Sequence, residues 1–490
     1  MSNTVVPAAH GPATNGAQQR PRSIVVVGAG LAGTQTVAAL RTHGYDGRIT
    51  LLGAEGTLPY DRPPLSKELL TRTDPVWLSA ELGVDVTVLA DDVRLADRAV
   101  RLQVHDGGVV VETSGAPGTS GAITDTGADS TISADAVVLA CGSRPVRPSG
   151  WSGALVLHSA SDAAVLRERL TTARRLVVVG AGWIGAEIAG VVAAAGTGVT
   201  VVEAAPAPLS AQLGAHVGAS TAPWYADAGV ELLTGRSVAA VDRDGVTLVD
   251  GRRVLADVVL AAVGAAPATD WLREVLPLTS RGAVPVGPSG LLDTARVGGG
   301  PALTERASSR VWAVGDCADR RTDRFGVVAG SHWTGALLHP EAIACAITGR
   351  PAPAESAPYV FSEQLGHHLT LTGVPEPGAE VVHRGTPGSP AGWTTLWLRP
   401  STGSGERAGE QVGAQVGEQV GEHGGRHAGE LGGEPDGREL VAVLTVDRPR
   451  DVGPSRRMLS ANRPPLLDLV RACDPGVPLP SAVVGPTPPR

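Results

Sequence analysis

The chain writes the same strand–glycine–helix device twice. Arg22-Ser-Ile-Val-Val-Val-Gly28 is a short β-branched run ending in glycine, the pattern of a parallel strand buried on both faces. Gly28-Ala-Gly30-Leu-Ala-Gly33 follows and leads into a helix-like stretch, Thr34 to Arg41. The grammar returns 152 residues later, with a strand from Leu176 to Val179, the turn Gly180-Ala-Gly182-Trp-Ile-Gly185 and a helix from Ala186 to Ala195. Each copy then delivers a second strand, Ile49 to Leu52 or Val199 to Val202, and an acid, Glu55 or Glu203. Few folds accept two such units in one chain.

Each glycine has its own task. The first makes the tight turn, the second lets the backbone approach a pyrophosphate, and the third packs helix on strand. The helix N-terminus adds partial positive charge, and the acid accepts hydrogen bonds from a ribose diol. Two sites imply two dinucleotides, and the natural pair is FAD with a nicotinamide. A third string, Ala313-Val-Gly-Asp316-Cys-Ala318, follows both units; a strand ending in Gly-Asp can set a carboxylate against the ribityl chain and pyrophosphate of an extended FAD. That places FAD in the first unit and the nicotinamide in the second.

Composition narrows the class. The 490 residues carry a net charge of −8, which argues against nucleic acid or an anionic membrane as the main partner. No apolar run reaches the roughly 18 residues of a membrane span, and residues 1–21 read as a disordered leader without a signal-peptide core. The four cysteines, at 141, 317, 345 and 473, form no CxxC, CxxxxC or zinc spacing. The expectation is a cytoplasmic globular protein with no metal site, and with Cys317 in the core rather than in a redox pair with Cys141. Lys67 is the sole lysine.

Further strands are expected around 84–89, 100–104 and 136–140, and an expanded surface hairpin over 112–133. Residues 401–438 are Gly/Glu/Gln/Val low complexity, with glycine at 409, 413, 417 and 421; this reads as a disordered loop insertion. His367-His368 reads as a surface or interface pair. Arg320-Arg321-x-x-Arg324 reads as a solvated face, with docking of an acidic partner protein as the competing interpretation.

Leu58-Pro-Tyr-Asp-Arg-Pro-Pro-Leu-Ser-Lys67, Gly180-Ala-Gly-Trp-Ile-Gly-Ala-Glu187 and Ala313-Val-Gly-Asp-Cys-Ala318 together resemble the FAD-dependent NADH:ferredoxin reductases of Rieske-type dioxygenase and bacterial P450 systems. The resemblance spans about 22–400 and resumes at 439–482, where Leu440-Val-Ala-Val-Leu-Thr-Val-Asp-Arg-Pro449 matches the family's C-terminal module. It implies an α/β fold of the glutathione-reductase type, with two Rossmann-like dinucleotide-binding domains and a C-terminal α/β module. The implied map is FAD domain 22–145 and 265–350, NAD domain 146–264, and reductase module 355–490.

The same resemblance implies Lys67 at the flavin N5/O4 edge, paired with Glu187. An ammonium there favours the reduced, anionic ring, and the carboxylate keeps the lysine charged and oriented. Gly28, Gly30, Ala32, Gly33, Glu55, Val93, Arg144, Asp316 and Trp333 are the implied FAD contacts. Gly180, Gly182, Ile184, Gly185, Glu187, Glu203 and Gly264 are those of NAD. Four departures stand out: Cys141 for a threonine, Ser331 for a glutamate, Phe361-Ser-Glu-Gln364 for Trp-Ser-Asp-Gln, and Ala211-Gln212 where an arginine is usual. The implied activity is hydride transfer from NADH to FAD, then single electrons to a [2Fe-2S] ferredoxin, by a monomer or homodimer. The alternatives are another acceptor (rubredoxin, a quinone, a nitrite-reductase partner) or a non-catalytic FAD/NADH-binding signalling protein.

Overall fold

The computed structural model describes residues 20–115, 130–296, 300–330, 332–400 and 438–484. Residues 1–19 of the leader, the tip of the 112–133 hairpin, Ser331 and nearly all of the low-complexity insertion lie outside them.

The first unit runs β1 (Ser23–Val27), α1 (Leu31–Thr42), β2 (Arg48–Leu52), a short helix α2 (Pro64–Lys67), β3 (Asp92–Arg94) and β4 (Ala136–Leu139). The second unit is β5 (Arg175–Val179), α3 (Trp183–Ala194), β6 (Gly198–Val202), β7 (Glu231–Leu233) and β8 (Val258–Ala261). The chain then re-enters the first sheet at β9 (Val311–Ala313) and continues into α4 (Trp333–Thr348). Both sheets are parallel, in the orders β9-β4-β1-β2-β3 and β7-β6-β5-β8. In each, the glycine-motif strand lies centrally, and its residues are apolar on both faces because helices or strands cover both. The reading as two Rossmann-like units holds.

Two crossings join the units. Ser143–Pro145 pairs antiparallel with Ala265–Pro267, so the outgoing and returning chains run side by side. The segment after α2 crosses the other way: Leu69 is buried in the core of the second unit among Leu166, Leu176 and Ile188, with Leu65 packed beside it. That apolar anchor brings Lys67 onto α3.

The C-terminal module is an antiparallel sheet built from β10 (Tyr359–Gln364), β11 (His367–Gly373), β12 (Glu380–Arg384), β13 (Trp393–Pro400) and β14 (Arg438–Val446), backed by α5 (Pro449–Leu459). Its first strand is a free edge in the order β10-β11-β14-β13-β12. Pro400 is the cross-strand partner of Arg438, so residues 401–437 join the adjacent ends of two paired strands.

Most secondary elements fall where the sequence places them, and the strands at Gly108–Gly115 and Ser130–Ala134 form the expected hairpin flanks. One does not. The 84–89 segment is a helical turn, Val86–Leu89, because Asp85 accepts from the Thr87 amide at 2.9 Å and caps it, overriding the alternating valines. No helix among the described residues is long and apolar enough to cross a membrane.

Candidate functional site

The two glycine loops are built alike. Gly28 has φ +115°, and a side chain there would run into the Ala140 carbonyl; one on Gly33 would overlap the Gly28 carbonyl oxygen. Gly30 is the reverse case, with open space where a Cβ would stand. It begins α1 with no side-chain cap, so the first-turn amides face that opening. In the second unit Gly180 (φ +105°) abuts Ala262, Gly185 abuts Gly180, and uncapped Gly182 opens α3 with only the Gln212 amide nitrogen nearby, at 3.9 Å. Each loop is a cradle that a side chain would fill.

Around the first cradle, Ala32 is buried, and a side chain on Gly315 would stand 3.0 Å from its Cβ, so the start of α1 meets the Gly315-Asp316 loop. Asp316 accepts from Ser143 Oγ at 2.9 Å. Val93, on β3, is half-buried against the same core as Ile24 and Val138. Glu55 accepts from Tyr60 Oη at 2.5 Å and pairs with Arg62 at 2.5 Å; burial, with this bond, pushes the Tyr60 hydroxyl up to about 12. Arg144, half-exposed on the crossing ribbon, pairs with Asp270.

Around the second cradle, Glu203 accepts from the Ala181 amide at 2.6 Å and the Ala205 amide at 2.8 Å, so its carboxylate is fixed across the glycine loop by backbone. Ile184 leaves 45% of its surface exposed at the first turn of α3, and Gly264 takes φ +100° where β8 gives way to the ribbon.

An ion pair joins the two units. Lys67 Nζ, at the end of α2, lies 2.5 Å from Glu187 Oε1 on α3. Glu187 is 4% exposed and also accepts from Ser66 Oγ and Ser362 Oγ, each at 2.5 Å. The Lys67 ammonium sits 5.1 Å from the centre of the Phe361 ring. Phe361 meets Trp333 edge-on at 6.0 Å, and Trp333 Nε1 donates to Asp61 Oδ1 at 3.1 Å. Burial raises the Asp61 carboxyl above its usual range. Charged, aromatic and hydroxyl groups from three parts of the chain thus converge on one lysine.

Sequence reading named Lys67, Glu187 and Trp333 but missed Ser66 and Ser362 as partners of Glu187. Both stood in quoted strings, Pro-Pro-Leu-Ser-Lys and Phe-Ser-Glu-Gln, as bystanders. The arginine cluster was misread. Arg320 is buried and paired with Glu355 at 3.1 Å, and Arg324 donates to the carbonyls of Ala461 and Met458. Burial pulls the Arg324 guanidinium down to about 10. Only Arg321 projects, 3.2 Å from Asp293. Arg320 and Arg324 thus tie the first unit to the C-terminal module, and the cluster is not the wholly solvated face expected of it. His367 does sit at an interface, stacked on Trp224 at 4.2 Å and bound to Asp447 at 2.7 Å. Cys317 is fully buried.

Residues 22–337 match the model of the pyridine nucleotide-disulphide oxidoreductase family. The chain is 31% identical to the ferredoxin--NAD(+) reductase subunit of the benzene 1,2-dioxygenase system of Pseudomonas putida, over 74% of this chain and 84% of that one. It is 30% identical to the ferredoxin--NAD(+) reductase component of the biphenyl dioxygenase system of Paraburkholderia xenovorans, over 74% and 84%. Among solved structures it resembles Fdr9 (TM-score 0.72, 30% identity, 94% of this chain and 99% of that one). It also shares the fold of the reductase in the covalent putidaredoxin reductase–putidaredoxin complex (TM-score 0.74, 23% identity, 94% and 97%).

Proposed function

The chain belongs to the pyridine nucleotide-disulphide oxidoreductase family, and on that premise we propose that it is an FAD-dependent NADH:ferredoxin reductase serving an oxygenase. FAD, when bound, supplies a ring that accepts a hydride and gives up electrons one at a time. The chain's own part is to bind, orient and charge that site.

In this reading residues 22–145 and 265–350 hold FAD, 146–264 hold NADH, and 355–490 form the reductase module. The antiparallel ribbon of Ser143–Pro145 with Ala265–Pro267 supports the division, since the chain crosses out and back there. The open backbone at Gly30 and the uncapped first turn of α1 fit a pyrophosphate, with Gly28, Ala32 and Gly33 shaping the loop. Asp316 faces the ribityl side, Glu55 and Val93 the adenosine side, Arg144 the entrance beside the ribbon, and Trp333 the ring. Gly180, Gly182, Gly185 and Gly264 shape the NADH loop, Glu203 takes the ribose diol, and Ile184 meets the nicotinamide.

The observation that carries the reading is the Lys67–Glu187 pair. Lys67 comes from the first unit and Glu187 from the second, which supports setting the only lysine where the two dinucleotides would meet. A buried carboxylate with three donors holds that ammonium in place, and a fixed positive charge favours a ring gaining electrons. The acceptor is a ferredoxin of the [2Fe-2S] type, and the reductase works in the cytoplasm, where NADH is found, as a monomer or homodimer.

Anaerobic mixing with NADH should bleach the flavin band, and a [2Fe-2S] ferredoxin should then be reduced at a rate comparable with an artificial acceptor. Turnover of the artificial acceptor with an inert panel of ferredoxins would contradict the proposed partner. Acid release of FMN instead of FAD would contradict the cofactor.

A further inference from the structure

The C-terminal module reaches into the ion pair. Strand β10, the free edge of the antiparallel sheet, lies along α3, and adjacent residues contact the two ends of the pair. Phe361 lays its ring near Lys67 Nζ, and Ser362 Oγ donates to Glu187 Oε1. Gln364 Nε2 donates to Ser362 Oγ at 3.0 Å, which orients the hydroxyl so that its hydrogen points at Glu187. The serine and the amide are dry: Ser362 is 4% exposed and Gln364 2%.

The approach is close because α3 permits it. A side chain on Gly190, one turn beyond Glu187, would stand 2.8 Å from the Leu365 amide nitrogen and 3.1 Å from its Cα, so only glycine lets the β10–β11 turn dock this tightly. Leu365 itself takes φ +52°, and the compact turn keeps Ser362 and Gln364 in register against the helix.

We propose that Ser362, oriented by Gln364, is a positioning residue that fixes Glu187 and through it the Lys67 ammonium. The proposal rests on the reading that Lys67 faces the flavin. Glu187 Oε1 receives both Lys67 and Ser362, so losing the hydroxyl leaves one oxygen of a buried carboxylate held by the lysine alone. The carboxylate can then turn, and the ammonium with it. The module thereby helps set how readily the flavin is reduced, without touching substrate.

The test uses the holoenzyme and Ser362→Ala, with Ser362→Thr as the variant that keeps the hydroxyl. Ser362→Ala is expected to slow anaerobic flavin reduction by NADH three- to tenfold while FAD content stays unchanged. A tenfold weaker preference for the reduced flavin would appear as a midpoint about 30 mV lower. Ser362→Thr should recover most of the loss. A second readout does not depend on turnover. Lys67 is the sole lysine, so reductive methylation with labelled formaldehyde gives one lysine signal, and Ser362→Ala should raise its labelling rate several-fold. In a Lys67→Met background, Ser362→Ala should add nothing to the slowing, because the two act through one group. Additive slowing in that double variant, or an unchanged labelling rate and midpoint in Ser362→Ala, would overturn the proposal. If Lys67→Met alone left reduction and midpoint unchanged, the fault would lie in the reading of Lys67 itself.

Discussion

The two glycine units share a backbone and part company in their side chains. Gly30 and Gly182 begin their helices with the same dihedrals, φ −78° and ψ −169°, and the glycines on either side make the same close contacts. Yet the acid of the first unit, Glu55, is held by Tyr60 and Arg62, whereas that of the second, Glu203, is held by two backbone amides of its own unit. Five residues after the middle glycine, α1 carries Gln35 and α3 carries Glu187. The first unit instead contributes Lys67, from the connection between β2 and β3, whose counterpart in the second unit carries no lysine. Repetition supplies two like glycine loops; the residues that are not repeated, Lys67 and Glu187, form the ion pair that links the units.

Substitutions at the shared glycines break the comparison most severely. Gly33→Ala and Gly185→Ala both drive a methyl group into a backbone carbonyl, an overpacking that costs about 1–3 kcal/mol locally. Their consequences should differ. Gly33→Ala should purify with little or no FAD. Gly185→Ala should remain yellow but need at least about tenfold more NADH for half-maximal flavin reduction, a loss of roughly 1.4 kcal/mol. Titration of released FAD and stopped-flow reduction distinguish the two, and a colourless Gly185→Ala would reverse the assignment of cofactors to units.

A smaller effect sharpens the contrast between the acids. Glu203 should repel a ribose 2′-phosphate. The first arginine or lysine after it, Arg236, lies 3.2 Å from Asp250 and is already paired. The protein should therefore prefer NADH over NADPH by at least about tenfold in kcat/KM, about 1.4 kcal/mol. Glu203→Ala should bring the two within about threefold, mainly by losing NADH. Equal use of both by the unaltered protein would remove the role given to Glu203.

The smallest effect is expected where neither unit is touched. Replacing residues 401–438 by a short Gly/Ser linker gives up only the Pro400–Arg438 rung and keeps the β13–β14 pairing from Arg399–Glu439 onward, and loop length contributes only slowly to closure entropy. FAD content and NADH reduction should be unchanged. Loss of FAD would make the segment structural.

What the sequence disclosed follows the same division. The glycine loops, their strands and Glu203 were legible because each is written within some 30 consecutive residues and serves a local backbone need. Lys67 with Glu187 was legible only through family likeness, since 120 residues separate them. Ser362 lies 175 residues from Glu187, and its hydroxyl matters only because an edge strand of another module crosses α3. No local pattern encodes that crossing. The arginine cluster failed for a related reason: three arginines in five positions look solvated until the C-terminal module covers two of them. At 84–89 the error was local, an aspartate cap outweighing β-branched alternation.

Lys67 links the two units and is the most direct point of test. In Lys67→Met, Ser66 and Ser362 still donate to Glu187 and both cradles are intact, so FAD should remain at full stoichiometry. Anaerobic stopped-flow reduction by NADH should then be ten- to a hundredfold slower than in the unaltered protein, equivalent to about 1.4–2.7 kcal/mol. A rate unchanged at equal FAD content would contradict the claim that this lysine stands between the two dinucleotides and governs transfer from one to the other.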